Sequence, residues 1–231
     1  MVNPVIFRSN PICLVGGGTA SEADLSDAVA LSEGIVAADG GAELVMRSGH
    51  EVDAVIGDFD SLPNHLRDGI PKSRLHHVTE QDSTDFEKAM ERIEAPLVLG
   101  VGFTGGRIDH QLAVMHALVR FAGKPCVLLG EREIVFHCPP RLRIDLPAGA
   151  TVSLFPLRPV QGKSEGLEWP IERLQFAPGE QIGTSNRATG GLLNLKMDGP
   201  GMIGMLPRTS LGDFTQAVVA APRAHVRWPV P

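Results

Sequence analysis

Over its first 130 or so positions the chain alternates short apolar runs with longer stretches of helical spacing. The apolar runs fall at 12–15, 35–38, 54–56, 75–78, 97–101 and 126–129, and most end in glycine or acidic residues. Short continuous runs bounded in this way predict strands buried on both faces. Between them, 22–33 carries Leu25, Ala28 and Val29 at helical spacing and stops at Gly34. A short helix is expected up to about Ser48, with Gly49 as its stop. In "STDFEKAMERI", Phe86, Met90 and Ile93 recur at i, i+4, i+7, and 108–121 reads as another helix. The alternation predicts an α/β fold: a mostly parallel sheet with helices on both faces. In such sheets ligands bind outside the carboxyl ends of the strands.

After about residue 131 the pattern changes. Helical periodicity disappears, and short alternating runs take over: "EIVFHC", "RLRIDL", "TVSLFPL", "GLLNLKM" and "GMIGML", punctuated by Gly and Pro. This predicts a small antiparallel β domain, a β-sandwich or a barrel. The change falls around Pro139-Pro140, giving domains at 1–135 and 136–231.

Composition narrows the classes of function. The 231 residues are 43% hydrophobic and 21% charged, as in ordinary globular proteins. A net charge of −6 argues against a nucleic-acid or membrane-surface binder, which needs a basic face. An anionic substrate stays possible, because a bound metal inverts local charge. Cys13, Cys126 and Cys138 form neither a CxxC pair nor an even set, so free thiols in a reducing cytoplasm are expected. No apolar run approaches the roughly 20 residues that cross a bilayer. The first residues lack the basic start and apolar stretch of a signal peptide.

Candidate chemistry lies at the predicted strand ends. Gly16-Gly17-Gly18 is either a phosphate cradle or a tight turn, and there is no GxxxxGK[ST] loop. Asp39 ends a strand ahead of Gly40-Gly41, which would let a ligand approach the backbone; alone it would read as a helix cap. In "GDFDS", Asp58 and Asp60 project to one side of extended backbone, with Phe59 turned away. Such carboxylates repel unless a cation sits between them, and their hard oxygens suit Mg²⁺. "EQDSTDFEKAM" offers Asp82, Ser83, Thr84 and Asp85 at a helix start, as a capping box or as further metal ligands; Asp85 is the stronger functional candidate. "GFTGGRIDHQLA" sets Gly105-Gly106 before Arg107, with Asp109 and His110 following. Arg107 suits a phosphate clamp or a surface pair with Asp109. Together these residues call for a metal–nucleotide complex and phosphoryl transfer.

"DGGAELV", "GDFDSL", "QDSTDFEKAM" and "GFTGGRIDHQLA", in this order, resemble the thiamine pyrophosphokinase family. The resemblance covers about 12–130 and continues more faintly through "GLEW" and "GTSN". It implies transfer of the diphosphoryl group of ATP to the hydroxyl of thiamine, with Mg²⁺, in a homodimer whose sites lie between subunits. It assigns Asp58, Asp60 and Asp85 to Mg²⁺ and catalysis. Asp39, Gly40, Gly41, Thr84, Gly105, Gly106, Arg107, Asp109 and His110 go to ATP. Gln81, Asp82, Ser185, Asn186 and Trp169 go to thiamine. The family often has asparagine after "DGGA"; this chain has Glu43, whose carboxylate either joins the metal and nucleotide contacts or faces solvent.

Three other readings compete. A pyrophosphokinase acting on a hydroxymethylpterin would use similar carboxylates. A phosphohydrolase with an aspartate nucleophile would use the D-x-D pair, but no matched downstream lysine is apparent. A non-catalytic nucleotide sensor would need fewer carboxylates.

Overall fold

The computed structural model describes residues 4–80 and 82–229. They divide into two compact units that part between Ala117 and Leu118. In chain order the first unit holds β1 (Ile6–Phe7), β2 (Ile12–Val15), α1 (Glu22–Val29), β3 (Ile35–Ala38), α2 (Ala42–Arg47), β4 (Ala54–Gly57), α3 (Asn64–Arg67), β5 (Leu75–His77), α4 (Asp85–Arg92), β6 (Ile93–Glu94), β7 (Val98–Val101) and the start of α5 (Ile108–Arg120). The second holds β8 (Cys126–Leu129), β9 (Glu133–His137), β10 (Arg141–Leu146), β11 (Thr151–Pro156), β12 (Gly162–Glu165), β13 (Gly183–Arg187), β14 (Gly191–Met197), β15 (Met202–Pro207), α6 (Leu211–Ala220) and α7 (Arg223–Val226).

The first unit is built on a parallel sheet in the order β7-β2-β3-β4-β5. Every residue of β2, β3, β4 and β7 is buried, which requires cover on both faces. The short β5, at one end of this order, is only partly buried. The chain leaves β2 in one direction, reaches β5, and returns through α4 to place β7 on the other side of β2. The order reverses there, so the loops after β2 and β7 flank the crevice where such sheets take ligands. Those loops are tightly joined: the Gly18 N–H donates to the Gly102 carbonyl at 3.1 Å. A Cβ on Gly16 would press on the Phe103 ring at 2.5 Å. Close packing thus accounts for Gly16 and Gly18 in this turn, whereas a Cβ on Gly17 would meet only ordinary contacts.

The second unit carries antiparallel strands in the orders β8-β9-β15-β11-β13 and β10-β14-β12. Burial alternates along β10, β11 and the end of β14, as expected for a sandwich with one wet face per sheet. The reading that helices cease after 131 fails at α6. Its Leu211, Phe214, Thr215 and Val218 are buried at i, i+3, i+4, i+7, and Phe214 packs on Phe136 at 4.4 Å. The pattern is only ten residues long and follows five stretches of strand-like alternation, which masks it. Among the described residues, no helix is long and apolar enough to cross a membrane.

Candidate functional site

The carboxyl ends of β3, β4 and β5 supply the polar groups. After β3, Asp39 adopts a left-handed backbone (φ 44°) and opens a single 3₁₀ turn, Asp39–Gly41, into α2. The residue is 1% exposed. One oxygen, Oδ2, accepts the Ser61 N–H at 3.2 Å, while the buried Oδ1 has no hydrogen-bond partner among the described residues. Gly57, at the end of β4, makes room for it: a Cβ there would stand 2.8 Å from the Asp39 Cβ.

After Gly57 the chain turns through Asp58, Phe59 and Asp60. The backbone is not extended here, because Phe59 sits at φ 67°. Its ring is buried, stacks on His77 at 5.2 Å, and lies under the Arg67 guanidinium at 5.2 Å. This aromatic anchor pins the turn. The Asp60 N–H donates to Asp58 Oδ1 at 3.3 Å, and the Ser61 hydroxyl donates to Asp60 Oδ1 at 2.9 Å. The two carboxylates come together through a left-handed turn, not through strand alternation.

Asp39, Asp58 and Asp60 each offer one oxygen within 4.8 Å of the others. The third member of this group comes from β3; the motif reading takes it from Asp85. Burial pushes the Asp39 carboxyl up to about 6, against the Ser61 N–H, with crowding by Asp60 and Asp85 adding to the rise. A buried, partnerless oxygen beside two further carboxylates fits a hard cation.

Asp85 opens α4, where Thr84 and Glu87 form a capping box: the Glu87 N–H donates to Thr84 Oγ1 at 3.3 Å, and the Thr84 N–H to Glu87 Oε2 at 3.0 Å. Three residues on, Lys88 is 2% exposed. Its Nζ donates to Asp58 Oδ2 at 2.8 Å and to Asp85 Oδ1 at 3.2 Å. Burial raises the Asp85 carboxyl and Lys88 opposes that rise. Burial alone would lower the Lys88 ammonium, but its two carboxylate partners hold it above the ordinary lysine value. The motif reading misses Lys88, although the sequence carries a signal for it: a lysine three positions after a helix-opening aspartate lies on the same helical face.

The remaining candidates divide. Arg107 and Asp109 form an exposed two-point pair at 3.1 and 2.6 Å, which keeps the Asp109 carboxyl below its ordinary value; His110 is exposed beside them. Gly105 and Gly106 hold φ 77° and 74°, a conformation that favours glycine. Asp82 and Glu43 are exposed, so the Glu43 carboxylate faces solvent. Gln81 lies outside the described residues. In the second unit, Ser185 is exposed at φ 63° and its N–H donates to Ser153 Oγ at 3.0 Å. Asn186 is 7% exposed and holds both sides of the Trp169 backbone, accepting its N–H at 3.2 Å and donating to its carbonyl at 2.6 Å. The Trp169 ring is half exposed, with the Arg187 guanidinium 5.8 Å from its centroid.

Comparison with known proteins gives concordant matches. Residues 26–128 match the family model described as thiamin pyrophosphokinase, catalytic domain, and 133–196 match thiamin pyrophosphokinase, vitamin B1 binding domain. Thiamin pyrophosphokinase 1 of Caenorhabditis elegans is 26% identical over 181 residues, covering 70% of this chain and 74% of that protein. Thiamine pyrophosphokinase 1 of Arabidopsis thaliana is 24% identical over 162 residues, covering 62% of this chain and 61% of that protein. Thiamin pyrophosphokinase from Candida albicans superposes with a TM-score of 0.73 at 16% identity, covering 87% of this chain and 93% of the other. Thiamin pyrophosphokinase from Geobacillus thermodenitrificans gives 0.69 at 23%, covering 85% and 96%. At such identities the structural likeness speaks for the fold.

Proposed function

The chain belongs to the thiamin pyrophosphokinase family, and from that premise we propose that it transfers the diphosphoryl group of ATP to the hydroxyl of thiamine, giving thiamine diphosphate and AMP. The observation that carries this reading is the oxygen group of Asp39, Asp58 and Asp60, with its partnerless buried Oδ1, at the strand ends of the segment matched by the catalytic-domain model. These three residues would hold Mg²⁺, with Asp85 beside them. Bound there, the metal would offset the negative charge of the phosphates.

The chain's own groups would align the reactants and balance charge, which is most of what phosphoryl transfer requires. The thiamine oxygen bonds to the β-phosphorus as the bond from that phosphorus to the α-side bridging oxygen breaks; the hydroxyl proton is released and AMP leaves. Arg107 would exchange Asp109 for phosphate oxygens. Both side chains are exposed, so little is lost in breaking their pair. Gly40, Gly41, Thr84, Gly105, Gly106, Asp109 and His110 would complete the ATP side. Ser185 and Trp169, with Gln81 and Asp82, would take thiamine, and Asn186 would act by fixing the Trp169 backbone. In this assignment the ATP-binding catalytic domain is 1–135 and the thiamine-binding domain 136–231.

The same proposal includes a homodimer acting in the cytoplasm. Ile108 and Leu112, 72% and 64% exposed and one helical turn apart, offer an apolar pair for a partner to cover. The buried free cysteines fit a reducing compartment.

Incubation with ATP, Mg²⁺ and thiamine, followed by chromatography, should give thiamine diphosphate and AMP in equal amounts. D58N and D85N should each lower turnover by about 100-fold or more. ADP or inorganic phosphate in place of AMP, or turnover with a hydroxymethylpterin and none with thiamine, would overturn the assignment. Near-normal turnover by both variants would remove these carboxylates from the site.

A further inference from the structure

The ammonium of Lys88 lies buried between two carboxylates that reach it from different elements. Asp58 follows β4 and is bonded at 2.8 Å, with its side chain 16% exposed; Asp85 opens α4 and is bonded at 3.2 Å, with its side chain 37% exposed. The lysine side chain is 3% exposed, less than either partner. Asp58 is engaged on both oxygens, Oδ2 by Lys88 and Oδ1 by the Asp60 N–H. Its orientation toward Asp39 and Asp60 is therefore set from behind. We propose that Lys88 is a positioning residue that serves as the internal counterion of the acidic site. Its fixed charge offsets Asp58 and Asp85 before any ligand arrives and holds both carboxylates in the orientation the reaction uses.

Charge and geometry both support this role. Four aspartates converge on this region, and like charges so close oppose folding unless a cation offsets them. A lysine this deeply buried is retained only where its charge is matched. Its burial behind the carboxylates sets it apart from the exposed Arg107, which is placed to meet a ligand directly. The kinetic part of the inference rests on the diphosphoryl-transfer reading; the part concerning the ligand-free protein does not.

The test is K88M, compared with the unmodified chain by urea unfolding without ATP or thiamine, at zero Mg²⁺ and at saturating Mg²⁺. Loss of the counterion should lower the folding equilibrium constant by about 100-fold. At a Mg²⁺ concentration about ten times the dissociation constant of K88M, the metal should then return about 10-fold, more than the unmodified chain gains at the same concentration. Turnover should fall by about 100-fold with the KM for ATP and thiamine within about 3-fold, as expected when carboxylates are misaligned and binding is kept. A stability loss that Mg²⁺ does not relieve, with normal turnover, would make Lys88 merely structural and overturn the proposal. A loss confined to the KM for ATP would make it a phosphate ligand and overturn it equally. If K88M does not fold, the triple variant K88M/D58N/D85N decides: it should fold, because both unmatched carboxylates are gone, and its failure to fold would overturn the counterion role. Absence of thiamine diphosphate formation by the unmodified chain would instead overturn the functional reading, and the unfolding comparison would still decide the counterion.

Discussion

Gly41 stands where the turn after β3 enters α2, and a Cβ there would collide with the Val15 carbonyl oxygen and lie 2.6 Å from its carbon. Its φ of −58° is ordinary for any residue, so the demand is one of space. The obstacle is backbone and cannot move aside. G41A is therefore expected to destabilise the first unit by about 3 kcal/mol or more, read from the urea midpoint. Asp39 and Phe59 pose the opposite case, since each is held in a left-handed backbone that side chains resist. The acidic motif is legible only as a set, because each aspartate taken singly also reads as a turn or cap residue, and it is their recurrence at successive strand ends that points to a cation. The route to it is not legible: the strand reading puts Asp58 and Asp60 on one side by alternation, whereas the structure uses a left-handed turn anchored by His77 and Arg67. Those partners lie 18 and 8 positions from Phe59, beyond the reach of local pattern.

At the scale of elements, α4 carries both Asp85 and Lys88, so its start fixes one of the four aspartates and the lysine that matches two of them. The box between Thr84 and Glu87 matches that between Ser21 and Asp24 on α1. T84A and S21A should each lower stability by about 1 kcal/mol in chemical denaturation. Only T84A should also lower turnover, because of these two helices only α4 bears site residues and Thr84 itself is assigned to the ATP side. If S21A were equally impaired in turnover, the effect would be one of global stability. The helix itself is legible from Phe86, Met90 and Ile93, although the chain turns extended at Ile93, which lies in β6 past the helix end. Strands β2, β3, β4 and β7 are equally plain, since fully buried parallel strands read as unbroken apolar runs. The helix α6 is hidden for the converse reason: it is one short amphipathic stretch following a series of alternating strands.

At the scale of the whole molecule, acid response separates the contributions. In the second unit His137 accepts the Gly201 N–H at 2.8 Å through Nε2, and burial, helped by the Arg158 charge, lowers its value to about 4. The folded state thus binds this proton less readily than the unfolded chain. Stability from His137 is present above about pH 6.5 and is lost as pH falls toward 4, up to about 3 kcal/mol. Asp39, raised to about 6, acts in the opposite direction over much of the same window. The difference between the unmodified chain and H137Q isolates the histidine: the variant should lose less stability between pH 6.5 and 4 in urea melts. Equal acid loss in both would remove His137 from the account. The sequence by itself determined the α/β-then-β order, the strand ends that carry polar groups and the family, because periodicity and ordered motifs are local properties of the chain. Only the tertiary structure decided that Asp39 completes the oxygen group, that Asn186 is occupied by the Trp169 backbone, and that a buried lysine matches the charge of Asp58 and Asp85. Those facts depend on which distant segments meet and at what depth, and charge pairing in a buried site is set by that meeting.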